Sequence, residues 1–407
     1  MSGSAEAGSG EASGIATRQP PPRLDYLDGL RGWAAVSVLI FHSSFELFGH
    51  VVPVLGAKRF ILNDGPLAVF VFFVLSGFVL SAQFFSTRSI ERVRATAAGR
   101  YVRLTVPIAA SCLISFALLK YGAMFNQKAS AIVARPDWLG VFYRFDPSFW
   151  SYIKFSFFEV YFPNQHTESY NVFLWPMPVE LKGSFLIFAL VALFGSNTPL
   201  RIMACAAAII GYWHEDPLYL GLLYGNLLAS LHVLIRDARI TNGIGGNLVG
   251  LSLVVFVLLY RFDHDGQRTG AFLGACLLLA PMFSPFLRRL LSCPLSLWFG
   301  RISFPLYLVH SAVICSFSSF LIVALNDAYW SAAATAELVI PSTIVASLAV
   351  AQAFAPIERF AIRGSHQFGA VVVHGLQYLP LRRRTKMERV EAALSFASSA
   401  EPKSVGM

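Results

Sequence analysis

Residues 65–81 read GPLAVFVFFVLSGFVLS, and no charged residue interrupts this run. Extended to residues 65–85, the segment is long enough to cross a bilayer as one helix, which needs about 20 residues. It is one of several such runs, because 56% of the 407 residues are hydrophobic and only 14% are charged, whereas soluble domains carry about 25% charge. The composition excludes a disordered or disulfide-stabilised chain and predicts a polytopic membrane protein.

The apolar runs predict an all-α fold, a polytopic transmembrane helical bundle of about ten spans. Several runs are shorter than the roughly 20 residues that a span needs, so the predicted count extends from nine to eleven. The candidate spans are residues 29–48, 65–85, 101–120, 173–194, 200–214, 217–235, 247–261, 270–287, 302–325 and 338–357.

The positions of Lys and Arg predict the orientation of the bundle. With the N-terminus inside, most of the 32 basic residues fall in inside segments, so both termini are predicted to be cytoplasmic. Residues 1–22, rich in Gly, Ser, Ala and Pro, are predicted to form a disordered tail without the apolar core of a signal peptide. Residues 23–360 form the predicted membrane domain, and residues 361–407 a basic cytoplasmic tail. This organisation fits insertion at the endoplasmic reticulum and residence there or at the plasma membrane.

Charge and cysteine usage narrow the partners. The net charge of +9 comes from basic residues placed between apolar runs rather than in one patch, so no nucleic-acid partner is predicted. The five cysteines show no CxxC spacing, and no metal site is predicted. The loop 121–172 is dense in aromatic residues, which indicates that it lies along the interface or folds back over the helices.

The first span carries two ionisable residues, Arg31 and His42. They are eleven positions apart, close to three helical turns, so both side chains project from one face about 16.5 Å apart along the axis. With Arg31 at the cytoplasmic interface, His42 lies near mid-membrane, where an ionisable group normally faces a polar cavity. A snorkelling anchor at Arg31 and a hydrogen-bonded interior histidine at His42 are the alternatives.

Three further charged residues are site candidates. Arg100 and Arg103 are three apart on one face of the third span, and a pair of guanidinium forks suits a phosphate. A purely topological role fits them equally. Glu180 lies inside an apolar run two residues from Lys182, too close in sequence for the two to face each other on a helix. Glu180 therefore needs another partner, with His42 or an arginine as the candidates.

Other motifs have simpler interpretations. Ser76 and Gly77 in the second span favour close helix packing. Tyr307 and His310 share a face near the start of the ninth span, where an interfacial anchor and a functional site are equally supported. Glu358 and Arg359 are most simply a charge pair at a helix end.

Five ordered motifs between residues 24 and 358 together resemble the acyltransferase-3 family of membrane acyltransferases. The family's Arg, ten residues, then His is similar to Arg31–His42, its FFxLSGFxL to VFFVLSGFVLS, and its Arg-x-x-Arg to Arg100–Arg103. The late SYPLYLxH resembles SFPLYLVH here, and WPMPVELKGSF resembles the fungal branch. Phe304 in place of the usual Tyr and the presence of Lys182 are the departures from the pattern.

The resemblance implies transfer of an acyl group, commonly acetyl, from acyl-coenzyme A to a hydroxyl of a carbohydrate, lipid or small metabolite. It implies that His42 is the general base or proton shuttle and that Glu180 orients or balances the site. It also implies that Arg31, Arg100 and Arg103 position the donor or the developing charge. Direct transfer and a covalent relay through His42 both fit these residues.

The chemistry of these residue types agrees with that implication. A neutral histidine can remove a proton from an alcohol near neutral pH, and a cation can stabilise the oxygen of a thioester as it gains charge. A transporter of a polar or acylated solute also uses buried Arg, His and Glu, but no internal repeat is visible in the sequence. A catalytically silent scaffold or receptor is the third alternative.

Overall fold

The computed structural model describes residues 24–56, 61–162, 168–236, 243–261 and 267–375. Within these ranges the regular structure is entirely helical. The helices are α1 Asp25–Ile40, α2 Pro53–Gly56, α3 Gly65–Thr87, α4 Ile90–Lys120, α5 Asn126–Ile132, α6 Phe149–Phe157, α7 Met177–Phe194, α8 Thr198–Gly211, α9 Pro217–Arg236, α10 Ile244–Tyr260, α11 Gln267–Phe283, α12 Pro285–Leu291, α13 Pro294–Val313, α14 Ser319–Asp327 and α15 Ala332–His374.

The all-α prediction is confirmed, and each of the predicted spans overlaps a helix. Five helical stretches in the described part of the chain are long and apolar enough to span a membrane: Gly65–Phe85, Ile90–Lys120, Met177–Phe194, Pro294–Asp327 and Ala332–His374. A sixth results if Arg268–Phe283 and Pro285–Leu291, which meet at 105°, form one broken span. The count of ten and the cytoplasmic placement of both termini stay predictions.

The predicted boundaries of the tails fall partly outside the described residues. Residues 1–22 and 376–407 belong to that undescribed part. The predicted start of the C-terminal tail, residue 361, lies inside α15, which continues to His374. The division into a tail, a membrane domain and a second tail therefore stays a prediction, and the last predicted span is the middle of a longer helix.

Helix α3 lies at the centre of the bundle, with α1, α7, α9 and α11 packed around it. Its closest neighbour is α9, because a Cβ added at Gly77 would lie 2.0 Å from the carbonyl oxygen of Leu222. The packing role predicted for Gly77 is thereby confirmed. Phe78 and Val74 on the same helix are fully buried in the cluster that joins α3 to its neighbours.

The contact between α1 and α13 depends on two facing glycines. A Cβ at Gly32 would lie 2.4 Å from the backbone nitrogen of Gly300, and one at Gly300 would lie 2.4 Å from the carbonyl oxygen of Asp28. The two backbones therefore approach more closely than any larger residues allow. Beyond this crossing, α1 continues into a π-helical turn at Phe41–Glu46, and α13 into another at Ile314–Ser318.

The segment between α4 and α7 folds back over the bundle, one of the two arrangements that its aromatic density predicts. Asn126 Nδ2 donates to the carbonyl oxygens of Leu139 and Phe142, each at 2.9 Å, which closes the segment on itself. Leu139 and Tyr143 are buried together with Phe48 of the first helical segment and Ile314 at the end of α13. The segment thus covers the C-terminal ends of α1 and α13.

The glycine crossing gives a stability prediction. Replacing Gly32 with Ala should destabilise the protein by about 1–3 kcal/mol, because the added methyl group overlaps the backbone of α13. Gly211→Ala is the matched control, since no atom lies within 4 Å of a Cβ at that position. Thermal unfolding in detergent should show a lower midpoint for Gly32→Ala alone. Equal midpoints for both variants would contradict the close approach of α1 and α13.

Candidate functional site

A cavity of about 190 Å³ lies between α1, α3, α4, α7, α13 and α15. We call it the arginine pocket because Arg31, Arg100 and Arg103 all line it. Glu180 lines it as well, so four of the five predicted site residues meet in one cavity. The complete lining is Leu27, Asp28, Arg31, Val69, Phe72, Phe73, Leu75, Ser76, Val79, Leu80, Arg100, Arg103, Leu104, Pro176, Met177, Glu180, Ser303, Phe304, Tyr307 and Glu358.

Glu180 on α7 forms an ion pair with Arg100 on α4. Ser76 donates a hydrogen bond to Glu180 Oε1 at 2.7 Å, and Arg100 Nε donates to Ser184 Oγ at 2.9 Å. The partner that the sequence left open for Glu180 is therefore an arginine and not His42. Ser76, expected to serve mainly in packing, instead completes this carboxylate network between α3, α4 and α7. Lys182 points elsewhere, with its Nζ 5.6 Å from the centre of the Phe162 ring.

Arg31 connects α1 to α13. Its Nη2 donates to Asp28 Oδ1 and to the carbonyl oxygen of Gly300, each at 3.1 Å, and its Nε donates to Ser303 Oγ at 3.0 Å. The carbonyl of Gly300 also accepts from Ser303 Oγ at 2.9 Å. The guanidinium of Arg31 thus links α1 to α13 where the two helices cross, and Asp28 balances its charge.

Arg103 differs from the other two arginines. Among the described residues it makes no hydrogen bond and no ion pair within 4 Å, although it lines the arginine pocket and interacts electrostatically with Glu358. Glu358 also lines the pocket, and α15 continues past it to His374, so the prediction that it lies at a helix end is wrong. Arg103 is the lining cation whose donors are available to a bound anion.

His42 lies outside the arginine pocket and is paired with a second histidine. Its Nδ1 is 3.1 Å from Nε2 of His310 on α13, and Nδ1 of His310 is 3.0 Å from the carbonyl oxygen of Leu306. The ring of Phe173 stacks on His42 at a centroid distance of 4.1 Å and an angle of 2°. Of the two alternatives for His310, the interfacial anchor is excluded, because the residue is buried with 1% of its surface exposed.

Tyr307 separates the histidine pair from the arginine pocket. It lines the pocket, its hydroxyl donates to the carbonyl oxygen of Phe173, and its ring centre is 6.2 Å from that of His310. One turn of α13 therefore presents Tyr307 to the pocket and His310 to His42. The pocket and the pair are neighbours that share a wall.

Aromatic and charged side chains cover the histidine pair on the side away from the arginine pocket. The ring of Trp138, from the segment that folds back, stacks at 5.9 Å from His42. Arg135 lies over Trp138 at 5.2 Å and donates to Glu46 Oε2 at 2.7 Å. Sequence reasoning missed these groups. Glu46 lies in the first predicted span, four residues after His42, a spacing that could have found it, whereas residues 135–138 lie in a loop with no spacing that links them to that span. In the described ranges no group of three or more His, Cys, Asp or Glu could hold a metal ion.

Taken together, the helices and the site define an integral membrane protein that encloses a charged pocket beside a histidine pair. The chain belongs to the acyltransferase-3 family: the family's acyltransferase domain matches residues 24–355. It is a membrane acyltransferase. A relative, the O-acetyltransferase PaAT-1 of Phomopsis amygdali, is 25% identical over 365 residues, covering 71% of this chain and 72% of that protein. No solved structure is significantly similar to the chain.

The buried ion pair gives a prediction about stability. Glu180→Leu leaves Arg100 without its countercharge and should cost about 3–5 kcal/mol, and Arg100→Met should cost a similar amount. The double variant should unfold at a temperature closer to the wild type than either single variant, because neither charge is then stranded.

Asp137→Leu is the control for that experiment. Asp137 pairs with Arg135 at 3.5 Å, but its side chain is 67% exposed and Arg135 keeps its ion pair with Glu46, so its loss should change stability by less than about 1 kcal/mol. A double variant that is as unstable as the sum of its two single variants would contradict the pairing of Glu180 with Arg100.

Proposed function

We propose that the protein is an O-acyltransferase that moves an acyl group, acetyl in the first instance, from acyl-coenzyme A to a hydroxyl of a carbohydrate, lipid or small metabolite. The observation that carries the proposal is Arg103, which has no hydrogen bond or ion pair among the described residues and lines a pocket that shares a wall with the His42–His310 pair. The family and the fungal O-acetyltransferase relative support the same reaction class.

The arginine pocket suits one part of the donor. Its volume of about 190 Å³ is below the roughly 300–1,000 Å³ of pockets that enclose drug-sized ligands. In this proposal it takes the thin pantetheine arm, whose thioester end extends towards His42, while the nucleotide stays at the pocket entrance. Phe72, Leu75 and Leu104 supply apolar walls for that arm. Arg103 holds an anionic group of the donor.

The chemistry proposed at His42 is proton removal from the acceptor alcohol. As the alcohol oxygen bonds to the thioester carbon, its proton passes to His42, and the carbon–sulfur bond breaks. The proton then goes to the thiolate, which leaves as coenzyme A. Arg31 and Arg100 take no part in this proton transfer, and their hydrogen bonds to Ser303 and Ser184 hold neighbouring helices in place. With the N-terminus inside, the arginine pocket faces the cytoplasm, where acyl-coenzyme A is available.

The first test is the turnover of radiolabelled acetyl-coenzyme A by purified protein in nanodiscs, with a pooled extract of hydroxylated metabolites and glycans as acceptors. His42→Ala should reduce transfer by about 10²–10⁴-fold, the usual contribution of a general base. His50→Ala, at an exposed histidine eight residues along the chain, is the control and should retain activity.

The outcomes of this test separate the alternatives. Transfer by folded His42→Ala at the wild-type rate would remove His42 from the mechanism. If the wild type consumes no acyl-coenzyme A of any chain length, the proposed donor is wrong, and solute flux in liposomes becomes the measurement to make. Activity of the wild type and the His50 variant alone supports the proposal, and the mass of the labelled product identifies the acceptor.

A second test concerns Arg103. Arg103→Ala should raise the KM for acyl-coenzyme A about tenfold or more, because it removes the available cation of the pocket. Arg103→Lys should recover part of that loss, since a point charge replaces the planar fork. Arg92→Ala is the control on the same helix, at an exposed position. An unchanged KM in Arg103→Ala would contradict a role in donor binding.

A further inference from the structure

The hydrogen-bond contacts of the two histidines determine which ring nitrogens carry hydrogen atoms. A backbone carbonyl only accepts hydrogen bonds, so the 3.0 Å contact of His310 with Leu306 requires a hydrogen on Nδ1 of His310. In a neutral imidazole the other nitrogen then carries a lone pair. Nε2 of His310 is therefore an acceptor, and it faces Nδ1 of His42 at 3.1 Å.

The assignment continues to the reacting atom. Because Nε2 of His310 accepts, the hydrogen of this contact belongs to Nδ1 of His42. Nε2 of neutral His42 then holds a lone pair, and among the described residues no hydrogen-bond partner occupies it. Two charged rings at this distance would repel each other. Within the described part of the chain, no carboxylate forms an ion pair or hydrogen bond with either histidine.

We propose that His310 is a positioning residue that fixes the tautomer of His42, so that Nε2 of His42 is the atom that takes the acceptor's proton. This inference rests on the proposed acyl transfer, in which His42 is the base. When Nε2 of His42 gains the proton, the Nδ1 hydrogen bond to His310 remains and strengthens, since its donor is then charged. His310 and the Leu306 carbonyl thus have the orienting role that a carboxylate has in other base–orienter pairs.

The ring planes are fixed by the same helix that carries His310. Phe173 stacks on both imidazoles, at 4.1 Å from His42 and 4.7 Å from His310. The carbonyl of Phe173 accepts from Tyr307, and the neighbouring Asn171 donates to the carbonyl of Leu308 at 2.8 Å. Tyr307, Leu308 and His310 of α13 therefore orient the base, directly or through the segment Asn171–Phe173.

The local backbone agrees with this role. His42 lies in the π-helical turn Phe41–Glu46, and α13 changes to a π-helical turn at Ile314, four residues after His310. Such turns are rare and often occur at functional sites. Here the first turn contains His42, and the second begins four residues after His310.

The experiment compares two amide substitutions at residue 310. The Oε1 of glutamine can occupy the place of the histidine Nε2 and accept from His42, whereas the asparagine amide is one carbon shorter and stops near the position of Nδ1. His310→Gln should keep kcat within about tenfold of the wild type, and His310→Asn should lose about 10²-fold. The KM for acyl-coenzyme A should change less than about twofold in both, because the arginine pocket is untouched.

Trp33→Phe is the matched control. Trp33 Nε1 donates to Ser296 Oγ at 2.9 Å, so this variant also removes a hydrogen bond between α1 and α13 but leaves the histidine pair intact. It should retain kcat. Thermal unfolding of all variants identifies any loss caused by misfolding, and the comparison of Gln with Asn uses variants of equal chemistry.

The outcomes are distinguishable from those for the proposed function. If His42→Ala is inactive and the Gln and Asn variants have equal kcat, the positioning role is overturned while His42 remains the base. A loss that appears in KM rather than kcat also overturns it. If His42→Ala is fully active, the proposed base is wrong, and the inference falls with it.

Discussion

The close approach of α1 and α13 is the contact on which the rest of the site depends. At Gly32 and Gly300 the two backbones lie close together, and Arg31 on α1 reaches the carbonyl of Gly300 on α13. Further along the same two helices, His42 meets His310. Residue numbers rise together on both helices between these two contacts, so α1 and α13 run parallel. One helix crossing thus fixes the positions of both Arg31 and His42 along the bundle.

The charges inside the bundle divide into structural and available groups. Arg100 and Arg31 are ionised side chains with carboxylate partners, and each also donates to a serine hydroxyl. A charge inside a bundle is costly unless it is compensated. The Arg100–Glu180 pair joins α4 to α7, whereas Arg31 is paired with Asp28 within α1 and is bonded to α13 through Ser303. Both guanidinium groups therefore contribute little attraction for a ligand. Arg103 lacks such a partner among the described residues. Burying a charge without a partner costs free energy. Of the three arginines, Arg103 would therefore be stabilised most by an anionic ligand.

The helices and half of the site follow from the linear sequence, because they depend on local patterns. The apolar runs predicted helices where they are found, and the eleven-residue spacing placed Arg31 and His42 on one helix. The partners did not follow. His310 is 268 residues from His42, and Ser76 is 104 residues from Glu180. Which residues meet depends on how each helix is rotated and crossed in the bundle, and helix rotation leaves no spacing in the sequence.

Placing the base beside the pocket, rather than in it, has a chemical consequence. Tyr307 and Phe173 separate the charged lining of the arginine pocket from the aromatic rings that surround His42. A cation next to the imidazole would favour its neutral form but would also oppose the positive charge that it gains with the proton. A neutral orienting partner avoids that opposition, since His310 offers a lone pair that attracts the imidazolium. The donor can then be held by positive charge at one level while the acceptor is deprotonated at the next, and the two requirements do not compete within one cavity.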